Sequence, residues 1–159
     1  MSNDRKKEIL RYAGYIASAL AAGGLSGYLS RGGMEAFAQL RKPPFAPPEW
    51  AFPAAWSLLY VLMAVSAAMV AAEHSSRSRD ALFVYWAQLF VNFWWSIIFF
   101  AWGLRLTACF WLLLLLALAA VMCVRFGRIR PAAGWLNAPY LAWLAFAAVL
   151  NLSVYILNM

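Results

Sequence analysis

The sequence predicts an all-α membrane protein, a bundle of five transmembrane helices with a cytoplasmic N-terminus. Two features of the composition support this: 65% of the residues are hydrophobic and only 12% are charged, whereas the average soluble domain is about half apolar. The third observation is that the apolar residues form five runs, each close to the roughly 20 residues that an α-helix needs to cross the hydrocarbon core. The length of 159 residues suits one domain, so we expect a single domain over residues 1–159.

Short polar breaks separate most of the apolar runs. The predicted helices cover roughly residues 10–30, 50–73, 80–102, 105–125 and 134–157. The breaks after the second, third and fourth runs are short, and short connections predict antiparallel neighbours.

The basic residues predict the orientation. If five helices cross, nine of the 13 Lys and Arg residues lie on the side of the N-terminus and four on the other side. Because cytoplasmic loops carry the excess of basic residues, the N-terminus is expected inside and the C-terminus outside. The basic residues are dispersed at helix ends and no nucleic-acid motif accompanies them, so they indicate a lipid bilayer as partner and no nucleic acid.

The first loop, predicted over residues 31–49, differs from the others in length and in proline content. Five of the seven prolines lie between residues 41 and 53. Proline fixes φ and restricts the residue before it, which favours a stiff, extended lid over a flexible tether. A rigid connection between two helices is the alternative interpretation.

Polar side chains occur at membrane depth in the third apolar run. Gln88, Asn92 and Trp95 follow i, i+4, i+7 spacing and therefore share one helix face. The second run has Trp56, Tyr60 and Met63 at the same spacing, and the fifth has Tyr140, Trp143, Ala147 and Asn151. Two interpretations stay open: hydrogen bonds between helices, or an aromatic ligand cavity with a few polar groups.

These motifs occur in a fixed order from about residue 37 to the C-terminus. They are Lys42-Pro43, Pro47-Pro48-Glu49-Trp50, Trp56 to Met63, Gln88 to Trp95, and Pro139-Tyr140 to Asn151. In this order they resemble the translocator protein family, which comprises TspO, the tryptophan-rich sensory proteins and the peripheral-type benzodiazepine receptors. The resemblance implies a five-helix bundle, commonly a homodimer, with a pocket closed by the first loop. It implies porphyrins, haem-related tetrapyrroles and synthetic isoquinolines or benzodiazepines as ligands.

The resemblance also implies which residues bind the ligand. Carried over position by position, they are Phe37, Pro47, Phe52, Trp56, Tyr60, Asn92, Trp95, Ser96, Trp143, Ala147 and Leu150. Gln88 is expected to face either the helix packing or the same cavity. Two departures bear on ligand preference: Phe45 replaces a tryptophan of the family, and Ala36-Phe37 replaces a Trp-Tyr pair.

Three classes of function follow from these observations. The first is a binding or sensory protein for porphyrins and related tetrapyrroles, with porphyrin or haem as ligand and no required cofactor or metal. The second is a light-dependent porphyrin-degrading enzyme that uses Trp56 and Trp143 as catalytic residues. The third is a transporter of tetrapyrroles or sterols. The sequence has no inverted repeat and no intramembrane charge, which counts against transport. It also has no nucleophile–base pair or carboxylate dyad, so enzymatic activity stays an open question.

Sterol binding and dimerisation depend on shorter motifs. Animal members have a basic residue after the tyrosine that ends the last helix, but none follows Tyr155, so a sterol partner is not expected. Gly23-x-x-x-Gly27 favours close helix approach, either within the bundle or across a dimer. We expect an integral, multi-pass protein of a bacterial cell membrane.

Overall fold

A computed structural model of the chain describes residues 3–159, and every regular element within that range is helical. The helices are α1 (Asn3–Ser30), α2 (Met34–Ala38), α3 (Ala51–Ala71), α4 (Ser76–Ser96), α5 (Arg105–Ile129), α6 (Pro131–Trp135) and α7 (Ala138–Leu157). A 3-10 turn (Arg31–Gly33) joins α1 to α2, and a π-helical turn (Ile97–Ala101) extends α4. The all-α prediction is confirmed for these residues, while residues 1 and 2 of the predicted domain lie outside them.

The helix bounds differ most from the predicted ones at three places, and in addition α4 begins four residues earlier and α5 ends four residues later than predicted. α1 begins earlier, because the charged segment before its apolar run consists largely of good helix formers and has Asp4 in the first turn. The predicted loop over 31–49 is helical in its first part, where the 3-10 turn and α2 lie. The last predicted helix is divided into α6 and α7, each with a proline in its first turn.

Four helical segments among the described residues are long and apolar enough to cross a membrane. They are Ala51–Ala71, Ser76–Ala101, Arg105–Ile129 and Pro131–Leu157. α1 has 28 residues but is not one of the four, since Gly, Ser and Tyr lower the hydropathy of its apolar part. By length and composition, this is the architecture of a multi-pass membrane protein.

The long helices pack in an order that leaves α1 at one side of the molecule. α1 contacts α3 extensively and α4 less so, whereas α5 packs against α4, α6 and α7. Small residues permit the closest approaches: a Cβ atom at Gly134 would lie 2.8 Å from the Cα of Gly127. A Cβ atom at Gly23 would overlap the ring of Tyr60, so a side chain at that position would have to displace the ring.

The π-helical turn at the end of α4 changes which residues face the interior. The Trp102 N–H donates to the Ile97 carbonyl over 3.0 Å, a five-residue step instead of the usual four. Two consecutive residues, Phe99 and Phe100, therefore both contact Phe37 of α2, with ring centroids 5.6 and 5.1 Å away. Gly103, with φ of +65°, then reverses the chain into α5.

Candidate ligand-binding site

A cavity of about 400 Å³ lies between α1, α3 and α4. Most of its lining is apolar or aromatic, with a few hydroxyl and amide groups. α1 and the turns after it contribute Leu20, Gly23, Gly24, Ser26, Gly27, Ser30, Arg31 and Met34. α3, α4 and the π-helical turn contribute Phe52, Pro53, Trp56, Ser57, Tyr60, Asn92, Trp95, Ser96 and Phe100. The volume and lining are those of a small-molecule site.

A chain of buried hydrogen bonds runs from the cavity into the helix packing. The Tyr60 hydroxyl donates to Asn92 Oδ1, Asn92 Nδ2 donates to the Tyr140 hydroxyl, and that hydroxyl donates to Gln88 Oε1, each over 2.8 Å. Gln88 Nε2 then contacts Met63 Sδ at 3.6 Å. This polar network joins α3, α4 and α7 where lipid could satisfy none of these groups.

The two amides have different environments. Asn92 belongs to the polar network and also lines the cavity, so both interpretations of this residue apply. Gln88 is fully buried among α3, α4 and α7 and does not line the cavity. Of the two alternatives left open for Gln88, the structure therefore favours helix packing.

A second, much smaller space of about 20 Å³ lies on the α7 side. Phe52, Trp95 and Phe100 border both spaces, and we call these three side chains the aromatic partition. The smaller space is otherwise lined by Phe37, Phe99, Ala147, Leu150 and Asn151. In this conformation aromatic side chains thus fill most of the α7 side of the predicted pocket.

The predicted ligand-binding residues are distributed over these two spaces. Those that line the larger cavity are Phe52, Trp56, Tyr60, Asn92, Trp95 and Ser96. Those that line the smaller space, besides Phe52 and Trp95, are Phe37, Ala147 and Leu150. Trp143 lines neither, but its ring centroid lies 6.1 Å from that of Phe52 and 6.5 Å from that of Trp56. Pro47 is half-buried in the first loop and also lines neither space.

Two buried indole N–H groups in this region have no acceptor. Nε1 of Trp95 and Nε1 of Trp143 lack a hydrogen-bond partner among the described residues. Trp111, in contrast, donates to the Val91 carbonyl over 2.7 Å. A buried donor without a partner costs about 1–3 kcal/mol, and a ligand with an acceptor near the aromatic partition would remove that cost.

The side of the cavity formed by α1 was absent from the predicted site. Its polar groups are paired: Ser96 donates to the Ser30 hydroxyl over 2.9 Å, and Ser26 donates to the Phe93 carbonyl over 2.6 Å. Gly24 and Gly27 line the cavity, and an added Cβ would meet nothing within 4 Å at either position. The Gly23-x-x-x-Gly27 spacing was the sequence feature that indicated a close approach of α1 to another helix. Gly23 makes that approach to Tyr60 of the same chain.

Side-chain contacts fix the first loop beside the aromatic partition. The backbone N–H of Arg41 donates to Asn158 Oδ1 over 3.0 Å, and Asn158 Nδ2 donates back to the Arg41 carbonyl over 2.9 Å. Lys42 Nζ lies 3.4 Å from Glu49 Oε1 and 4.7 Å from the centroid of the Phe37 ring. These contacts tie the loop to the C-terminal end of α7 and to the buried Phe37.

Fold and site together define a helical membrane protein with an aromatic cavity among its helices. The sequence model of the TspO/MBR family matches residues 15–157. The chain is 37% identical over 151 residues to Protein CrtK of Rhodobacter capsulatus, which covers 92% of each chain. It is 33% identical over 156 residues to Tryptophan-rich protein TspO of Archaeoglobus fulgidus, covering 94% of this chain and 98% of that protein. It is 36% identical over 127 residues to Translocator protein of Ovis aries, with coverage of 78% and 75%. The chain belongs to the TspO/MBR family, which confirms the resemblance identified from its motifs.

The polar network predicts that Tyr140→Phe is strongly destabilising. The substitution removes the acceptor of Asn92 Nδ2 and the donor to Gln88 Oε1. Each buried group left unpaired costs about 1–3 kcal/mol, so we expect a lower apparent melting temperature in detergent. Tyr155→Phe is the matched control, because the Tyr155 hydroxyl makes no hydrogen bond among residues 3–159. Equal melting temperatures for the two variants would contradict a stabilising role of the network.

Proposed function

We propose that the protein is an integral membrane binding and sensory protein for porphyrins and related tetrapyrroles, and that the ligand occupies the cavity between α1, α3 and α4. The observation that carries this proposal is an apolar cavity lined by the Trp56 and Trp95 rings, in which the buried N–H group of Trp95 has no acceptor among residues 3–159. A tetrapyrrole has a large flat π surface for stacking and also has polar acceptors at its edge. Porphyrin or haem is here a ligand and not a resident cofactor.

The aromatic groups offer a suitable surface for a planar ligand. The Trp56 and Trp95 rings lie 5.9 Å apart with an interplanar angle of 37°. Rotation of Phe52 and Phe100 in the aromatic partition would join the larger cavity to the smaller space. The joined space would bring Ala147 and Leu150, and Trp143 behind Phe52, close to the same ligand.

We propose that α1 crosses the membrane in addition to the four apolar segments. The protein then has five spans in one domain, and its N-terminus is cytoplasmic. The 28 residues of α1 span about 42 Å at 1.5 Å per residue, which exceeds the hydrocarbon thickness of about 30 Å. Its small and polar residues face the cavity, whereas Leu25 and Leu29 on its outer side are exposed. The residues that face the cavity therefore account for part of the low hydropathy of α1, and the exposed Tyr28 adds to it. Dimerisation stays a prediction of the family resemblance.

The binding proposal predicts that protoporphyrin quenches tryptophan emission of the purified protein, with micromolar affinity or better. Trp56→Ala removes a ring from the cavity lining and should weaken binding roughly 10- to 100-fold, since truncating a buried aromatic side chain costs a few kcal/mol. Trp135→Ala is the control, because Trp135 is 78% exposed and lies in α6. The same affinity in both folded variants would place the ligand elsewhere.

A second candidate function is light-dependent degradation of the bound porphyrin. The specific observation in its favour is the indole cluster, in which Trp56 lies 5.9 Å from Trp95 and 6.5 Å from Trp143. Such distances permit electron transfer among the indoles themselves once one of them has donated an electron to an excited porphyrin. Simple stacking by the same rings would leave the porphyrin unchanged.

Illumination of the complex separates these two candidates. If the protein only binds, light should bleach the complex no faster than free porphyrin in detergent. If the indoles transfer electrons, light should yield a discrete absorbing product. Trp56→Phe or Trp143→Phe should then abolish the product but keep most of the affinity, because phenylalanine retains the ring plane and lacks the oxidisable indole. Trp102→Phe, at an exposed position, is the control.

The proposed orientation predicts that the C-terminus lies outside the cytoplasm and that the α3–α4 loop lies inside it. Alkaline phosphatase fused after Met159 should be active, because that enzyme works outside the cytoplasm, and a fusion in the α3–α4 loop at His74 should be inactive. Green fluorescent protein at the same positions should give the inverse result. Cytoplasmic reporters active at Met159 would overturn the number of spans or the orientation.

A further inference from the structure

We propose that the cavity is selective for ligands with an apolar body and an anionic group at one end, and that Arg31 binds the anion. This inference rests on the proposed function, since it concerns the same cavity, but it adds a charge requirement and names the residue that enforces it. The ligand class is an amphipathic carboxylate or a similar anion.

The charge distribution of the cavity carries the inference. Arg31 is the one charged residue in its lining, as far as the described part of the chain extends. The ion pairs within residues 3–159 are Lys42–Glu49 and Arg130–Glu73, so no carboxylate of that range lies within 4.0 Å of the Arg31 guanidinium. An arginine without an acidic partner at an apolar cavity leaves a planar set of donors that matches a carboxylate.

The Arg31 side chain is exposed at the end of the cavity and stacks on a neighbouring ring. Its guanidinium carbon lies 3.7 Å from the centroid of the Tyr28 ring, a close cation–π contact. This stacking covers one face of the guanidinium and leaves the N–H groups at its edge available. The neighbouring Ser30 and Ser96 hydroxyls, 2.9 Å apart, give this end of the cavity further polar character.

The positions along α1 define the orientation of the ligand. Arg31 follows the last residue of α1, whereas Leu20 lies 11 positions earlier, which corresponds to about 16 Å along the helix axis. Between them the lining consists of glycines, serines and the rings from α3 and α4. An apolar body would therefore lie among the rings, with its anionic group near Arg31 at the end of α1.

A basic residue at a helix C-terminus also has a simpler role, since it interacts favourably with the helix dipole and with lipid headgroups. That role is independent of the ligand's charge. The test therefore compares two ligands with the same macrocycle, the diacid protoporphyrin IX and its neutral dimethyl ester. The variants are Arg31→Gln and Arg31→Lys, and the control is Arg41→Gln, which removes a nearby basic residue that does not line the cavity.

We expect the wild-type protein to bind the diacid more tightly than the ester in a titration of tryptophan fluorescence. Arg31→Gln should lower the affinity for the diacid roughly 10- to 100-fold, as the loss of a charge-assisted hydrogen bond implies, and leave the affinity for the ester unchanged. Arg31→Lys should retain part of the preference, and Arg41→Gln all of it.

Other outcomes would overturn the inference. If Arg31→Gln lowers the affinity for diacid and ester equally, Arg31 has a structural role. If the wild type binds both equally tightly, the cavity does not select for charge, although porphyrin binding itself would stand. If neither porphyrin binds, the proposed function fails, and 1-pyrenebutyrate with its methyl ester then tests the anion requirement without a macrocycle. A preference for pyrenebutyrate that Arg31→Gln abolishes would support the inference alone. No binding of either pyrene compound would overturn it.

Discussion

The hydrocarbon around the helices offers no hydrogen-bond partner, so a buried polar group is paired only where another part of the protein supplies the partner. The polar network meets that constraint through four side chains on three helices. Each hydroxyl and amide has a defined donor or acceptor, so rotating α3, α4 or α7 about its axis would break at least one bond. The network thereby fixes the faces of α3 and α4 that direct Trp56 and Trp95 into the cavity.

The cavity forms because an aromatic ring packs against Gly23 of α1 but not against Gly24 or Gly27. At Gly23 the missing side chain lets the Tyr60 ring lie against the helix backbone. At Gly24 and Gly27 no ring fills the corresponding space, and the cavity results. Glycines thus have two effects on one helix. Gly23 allows α1 to pack closely against α3, whereas Gly24 and Gly27 leave room beside α4.

Helical periodicity predicted which side chains share a helix face, whereas the residue-by-residue prediction of the ligand-binding set came from the family resemblance. Trp56 and Tyr60 of α3, and Asn92 and Trp95 of α4, line one cavity because residues three or four positions apart share a helix face. The contribution of α1 could not be predicted, since a glycine in a helix carries no signal of whether it meets a ring or empty space. The division of the pocket was equally unpredictable, because it depends on the rotamers of Phe52 and Phe100, which the π-helical turn and tertiary packing determine.

The indole N–H groups of Trp95 and Trp111 have different environments among residues 3–159. Trp111, which packs between α4 and α5, has its N–H paired with a backbone carbonyl, as buried donors generally do. Trp95 lies only 6% exposed, borders both spaces and has no acceptor among residues 3–159. Packing alone would favour a paired or apolar side chain at such a position. A donor that is left unpaired beside open volume is instead what a binding site requires, because its hydrogen bond then contributes to affinity and not to folding.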